Sequence, residues 1–91
     1  MKQGRLRLEN EAAPVEYELH TEWHGKRRLI TGRCVIKQNP GPQLLNALTQ
    51  LTGANLLTND GQACHVEFTK NTNGREIEFS VLPPTGFVVN S

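Results

Sequence analysis

Polar and apolar residues alternate without a break from Val15 to His24 (VEYELHTEWH). Val15, Tyr17, Leu19, Thr21 and Trp23 fall on one face, and Glu16, Glu18, His20, Glu22 and His24 on the other. A period of two with one wet face predicts a strand. The run Arg27 to Lys37 is rich in β-branched residues and follows His24-Gly25. That pair predicts a two-residue hairpin loop, because such a loop asks for a positive φ that Gly takes freely and His tolerates. The expected register sets Leu19 against Ile30, Tyr17 over Gly32 and Val15 against Cys34. On the other face Glu22 meets Arg27 and Glu16 meets Arg33, so apolar faces apolar and acid faces base. Gly4 to Leu8 is expected to pair with the same strand across a loop Asn10 to Ala13. That pairing joins Leu8 to Val15, Leu6 to Tyr17, Arg7 to Glu16 and Arg5 to Glu18.

Asn39-Pro40-Gly41-Pro42 ends this meander, with Pro42 placed to be the first helical residue. Leu44, Leu45, Leu48 and Leu51 recur at helical spacing, and Gly53 is the expected terminator. The helix should lie across the sheet. Asn55 to Thr58, the turn Asn59-Asp60-Gly61 and Cys64 to Lys70 read as a second hairpin. Asn73-Gly74 is the strongest short hairpin signal in the chain. As a two-residue loop it sets Phe68 against Phe79, Val66 against Val81 and Thr69 against Glu78. Pro83-Pro84 breaks the sixth strand, and Gly86 to Val89 is left as an edge strand or a tail. The expected fold is a single α+β domain over residues 1–91, ordered βββαβββ. About six antiparallel strands form a sheet or partly open barrel with one packed helix. The two halves share a pattern, Leu6-x-Leu8 before Val15-Glu16-Tyr17 and Leu56-x-Thr58 before Val66-Glu67-Phe68, which fits either a duplication or common hairpin grammar.

Composition adds limits rather than an identity. The 91 residues carry ten Lys plus Arg against nine Asp plus Glu, a net charge of +1. Leu, Ile, Val and Phe make up about a quarter of the chain, enough to fold. The first forty residues hold eight basic and five acidic side chains, a balance of +3, and the remainder holds two and four, a balance of −2. No apolar run reaches the roughly 18 residues of a membrane span, and a cytoplasmic location is the expectation. Cys34 and Cys64 read as buried thiols rather than a disulfide.

Catalytic signatures such as Gly-x-Ser-x-Gly, a phosphate loop or His-Glu-x-x-His do not occur. The carboxylates sit where register makes them ion-pair partners, so no enzyme activity and no cofactor are expected. His20 and His24 share a strand face but stand roughly 13 Å apart at about 3.3 Å per residue, too far to hold one metal ion. Two binding readings remain. The third strand is apolar on both faces, and Leu29 and Val35 could serve a protein partner or a second copy through the sheet face. The alternative is nucleic acid bound by the basic hairpin, where Lys26-Arg27-Arg28 form the tip with Trp23 and His24 beside the loop, and Arg33 and Lys37 follow further along the strand.

Overall fold

The computed structural model describes residues 1–82. The elements are β1 (Lys2–Leu8), β2 (Glu11–His24), β3 (Arg27–Ile36), α1 (Pro42–Gln50), β4 (Gly53–Leu57), β5 (Ala63–Thr72) and β6 (Glu76–Leu82). This is the α+β order βββαβββ read from the sequence. All strand pairs are antiparallel, and the sheet closes on itself in the order β1-β2-β3-β6-β5-β4, with β4 returning to β1. Closure removes most of the free edges that an open sheet of this size would expose. Gly86 to Val89, expected as an edge strand or tail, lies outside the described residues.

The inward residues follow from the period-two pattern. Leu6, Val15, Tyr17, Cys34, Ile36, Ala54, Leu56, Val66, Phe68, Ile77 and Phe79 are all buried inside the ring. The helix closes one mouth. It joins β3 to β4, which stand opposite each other in the ring, so it must cross the opening rather than lie on the outer face of the sheet. It buries Leu44, Ala47 and Leu48 in the core and leaves Leu45 and Leu51 exposed. The apolar stripe is therefore Leu44-Ala47-Leu48 and not the all-leucine stripe expected. Gly41 provides no side-chain cap, and the first turn has no acid of its own. The Glu11 carboxylate from β2 takes both roles, accepting from Gln43 N–H at 3.2 Å and Leu44 N–H at 2.8 Å. Leu51, with φ 57, ends the helix in the left-handed region. Gly53, the expected terminator, instead begins β4, where a Cβ would come within 2.9 Å of the Val66 carbonyl oxygen.

In the β1–β2 and β2–β3 hairpins register departs from expectation by even numbers of residues, so faces survive while partners change. The β2–β3 loop is Gly25-Lys26, with His24 opposite Arg27. Positive φ is needed only at Gly25, where it is 65°, as in loops with glycine first. Tyr17 thus pairs with Cys34, Leu19 with Gly32, Glu18 with Arg33 and Glu22 with Leu29. The β1–β2 loop is Glu9-Asn10, so Ala12 and Ala13 belong to β2, and Arg5 and Arg7 face Pro14 and Ala12 instead of glutamates. Tyr17 does cover a glycine, but it is Gly4: a Cβ there would meet the ring at 2.8 Å. At Gly32 a Cβ would meet the Glu18 carbonyl oxygen at 2.5 Å and the Phe79 ring at 2.7 Å. In the β5–β6 hairpin Phe68 pairs with Phe79 and Val66 with Val81, as read. Nearer the turn the ladder shifts at Thr69, so Lys70 and not Thr69 faces Glu78.

Exchanging β1, β2, β3 for β4, β5, β6 maps the ring order onto itself. The pairs correspond too: Leu6 with Ala13 and Leu56 with Cys64, Gly4 with Val15 and Ala54 with Val66, Tyr17 with Cys34 and Phe68 with Phe79. Leu6 pairs with Leu56 across the β1–β4 seam. The shared sequence pattern of the two halves is thus a shared pairing pattern.

Candidate functional site

The ladder of β1 on β2 ends at Lys2 opposite Tyr17, and that of β6 on β3 ends at Ser80 opposite Thr31. The β2–β3 pairing continues to His24 opposite Arg27. Residues beyond these limits form a two-stranded arm that leaves the ring at Tyr17 and extends seven residues along β2. At about 3.3 Å per residue its length is roughly 23 Å.

The arm keeps the alternation of the strands that feed it. Leu19, Thr21 and Trp23 continue the face that is buried at Val15 and Tyr17, but among the described residues no third strand covers them. Leu19 is 40% and Trp23 67% exposed. A tryptophan on the core-side face of a strand would ordinarily be inside. Its exposure here results from the arm outrunning the barrel. On the opposite face Glu18, His20, Glu22 and His24 alternate, with the His20 imidazole 3.6 Å from Glu18 and the His24 imidazole 3.4 Å from Glu22. Leu29 is 40% exposed on that face.

The residues singled out in the sequence separate into two groups. Trp23, Lys26, Arg28 and Leu29 lie together on the arm. Arg33, Val35 and Lys37 lie on the barrel wall. Arg33 Nε donates to Glu18 at 2.5 Å, and its Nη1 to Glu76 at 3.4 Å. Lys37 Nζ donates to Glu16 at 2.8 Å. These cations hold the Glu16 and Glu18 carboxyls below the usual carboxylate range, each chiefly through its hydrogen bond. Val35 is half-buried between Glu16 and Glu76 in the ladder. Six positions separate it from Leu29, about 20 Å along the strand, with Thr31 and Arg33 between. The two do not share one patch. Lys26 and Arg28 form no ion pair among the described residues.

Two residues that sequence reasoning assigned only to packing fix the arm to the barrel. The buried Tyr17 hydroxyl donates to Asn59 Oδ1 and accepts from Asn59 N–H, both at 3.1 Å, tying the root of the arm to the β4–β5 turn. Gly32 lets Phe79 and the Glu18 backbone close in at the same level. No local pattern announces the Tyr17–Asn59 contact, since its partners are 42 residues apart.

Among the described residues no charged side chain is buried, and no three His, Cys, Asp or Glu side chains gather as metal ligands. A shallow depression of about 410 Å³ lies outside Gly32, lined by Glu18, His20, Thr31, Arg33, Glu78 and Ser80. Its Arg33 is already occupied by carboxylates. Burial pushes the Cys34 thiol up to about 12, which leaves it inert at neutral pH. No described helix is long and apolar enough to cross a membrane. Compared with family models, with curated proteins and with solved structures, the chain matches none.

Proposed function

We propose that this chain is a non-enzymatic protein-interaction module whose binding element is the β2–β3 arm. The observation that carries the reading is the exposure of Leu19 and Trp23 on a face that every neighbouring stretch of the same strand buries. Leaving a tryptophan and a leucine in water forgoes roughly 1.5–3 kcal/mol for each large side chain that a partner could bury. Trp is also among the residues that dominate binding energy at protein interfaces. The barrel provides a rigid base, and the arm presents the apolar face clear of it. Leu29 lies on the arm but on the opposite face, beside Glu22, and Val35 lies on the barrel wall, so neither is part of the Leu19–Trp23 face.

Nucleic-acid binding is the competing reading. It rests on Lys26 and Arg28, because Arg33 and Lys37 are engaged by Glu18, Glu76 and Glu16. Among the described side chains of the arm, two available cations give little counterion release, at about 0.9 per duplex phosphate.

A photo-crosslinking residue at position 23 tests the proposal, with one at Thr69 on the barrel wall as the control. Covalent protein adducts from position 23 in excess over Thr69 are expected. Equal labelling at both positions, or salt-dependent adducts to nucleic acid alone, would sink the protein-binding reading.

A further inference from the structure

We infer that the arm's partner is a second copy of this chain, paired edge to edge along β2; the inference rests on the arm being the interaction site. From Glu18 to His24 the edge of β2 that faces away from β3 has no neighbour in the sheet among the described residues. Its backbone donors and acceptors offer a template for one more strand. The free edge is bounded by the end of β1 on one side and by the Gly25-Lys26 turn on the other. Thr21 is its midpoint.

Two copies of one strand pair antiparallel about a two-fold axis, and the contact is favourable only if the strand complements its own reverse. Glu18-Leu-His-Thr-Glu-Trp-His24 has this property about Thr21. Thr21 meets Thr21 of the second copy, and Leu19 meets its Trp23. His20 meets Glu22 of the second copy, and Glu18 meets its His24. Leu19 and Trp23 lie on the core-side face, so this register joins the two apolar side chains that the single chain leaves exposed. An imidazole N–H donates to a carboxylate whether or not the ring is charged, so the polar face is matched as well.

The neighbouring registers fail. Centring on His20 sets Glu18 against Glu22, and centring on Glu22 sets that carboxylate against itself and His20 against His24. Like charges directly opposite are destabilising. A slip of one residue places Leu19 against Glu22 and apolar against polar throughout. The Thr21 register is also self-limiting. Once it forms, the second copy's His24 reaches Met1 at the end of β1, the edge is filled, and no third chain can add there. A seven-residue ladder is smaller than a standard interface, so the dimer is reversible and concentration-dependent.

Cysteine trapping reads the register directly. In a Cys64→Ser background, Thr21→Cys places two thiols on the axis. Directly opposite Cα atoms are about 4.5–5.5 Å apart, within the roughly 4.4–6.8 Å that a disulfide spans. Oxidation with diamide should give a covalent dimer for Thr21→Cys. His20→Cys and Glu22→Cys should each stay single, yet link when mixed. In the absence of oxidant, His20→Glu should weaken the dimer at least tenfold, and adding Glu22→His should restore it, since the swap rebuilds opposite pairs in the same register. Sedimentation from about 1 µM to about 1 mM measures these constants. A chain that remains monomeric over that range, or thiols that link equally at positions 20, 21 and 22, would overturn the second-copy assignment. Crosslinks from position 23 to another protein in such a monomer would leave the arm as an interaction site. Absence of both would remove the arm's role altogether.

Discussion

The β2–β3 and β5–β6 hairpins occupy equivalent places in the ring, yet they treat their extra length in opposite ways. Beyond the Phe68–Phe79 pair, β5 inserts Thr69 as a bulge, and bulges bend a ribbon. The bent hairpin then reaches the helix, where Asn71 Nδ2 donates to the Leu48 carbonyl at 3.1 Å. Beyond the corresponding Tyr17–Cys34 pair, β2 and β3 run on without a register shift to His24 and Arg27. Among the described residues that hairpin pairs with no other strand beyond the Lys2–Tyr17 and Thr31–Ser80 pairs. One hairpin spends its length locking the fold, while the other carries apolar side chains into solvent. The difference separates residues that hold the barrel from residues available to a partner.

Truncations should divide along the same line. Leu56→Ala, fully inside the ring, is expected to cost about 2–5 kcal/mol, whereas Leu29→Ala on the arm should stay within roughly 0.5 kcal/mol. Urea midpoints that fell equally would erase the distinction. Gly32 marks the boundary. Gly32→Val must displace the Phe79 ring and press on the Glu18 carbonyl, and overpacking of this kind costs about 1–3 kcal/mol. The neighbouring Thr31→Val, on the outer face, should cost less, and the reverse order would refute the observed register.

Tyr17→Phe removes the hydroxyl that ties the arm's root to Asn59 and should cost about 1 kcal/mol per hydrogen bond lost, measured by thermal melting. A wild-type melting curve would show that the arm's root needs no such anchor. The smallest effects concern titration. The Cys34 thiol is raised from its ordinary 9.0 to about 12 in the fold. Its contribution is therefore complete below pH 9 and is lost as the pH climbs toward 12. The lowered Glu16 and Glu18 behave oppositely, contributing above the usual carboxylate range and losing that contribution as pH falls below it. Both carboxyls are exposed to solvent, so the acid-side effect should be slight. A thiol reagent at neutral pH should modify the half-buried Cys64 and leave Cys34 untouched until the protein unfolds. Rapid labelling of Cys34 would mean the barrel opens.

Much of this division was legible in the chain. Alternation assigned the right face to every strand residue from Val15 to Trp23, and Asn73-Gly74 located its turn. Partners were less secure, because His24-Gly25 and Gly25-Lys26 both satisfy a glycine-containing loop and differ by two residues in register. Both choices keep the core-side face apolar, but on the other face the first matches Glu22 with Arg27 and Glu16 with Arg33 while the observed one sets them against Leu29 and Val35, so charge matching pointed to the wrong loop. Glu9, with φ 55, turns tightly without a glycine, which hid the short β1–β2 loop. Glu11 as a helix cap and Asn59 as the partner of Tyr17 are contacts between distant segments that no local pattern encodes. The arm was missed for a related reason. Period two shows that Trp23 shares a face with Tyr17, but where the neighbouring strands stop is settled by their registers.

Excising the arm tests the central claim most directly. Deleting Thr21 to Ile30 and joining His20 to Thr31 through Asn-Gly leaves every barrel pair in place and supplies a favoured two-residue loop. Melting temperature and mass in solution would be read on the same sample. A barrel that melts cooperatively near the parent temperature, while remaining monomeric at concentrations where the parent associates, is the predicted result. A barrel that unfolds without its arm, or a folded one that associates as the parent does, would contradict the account.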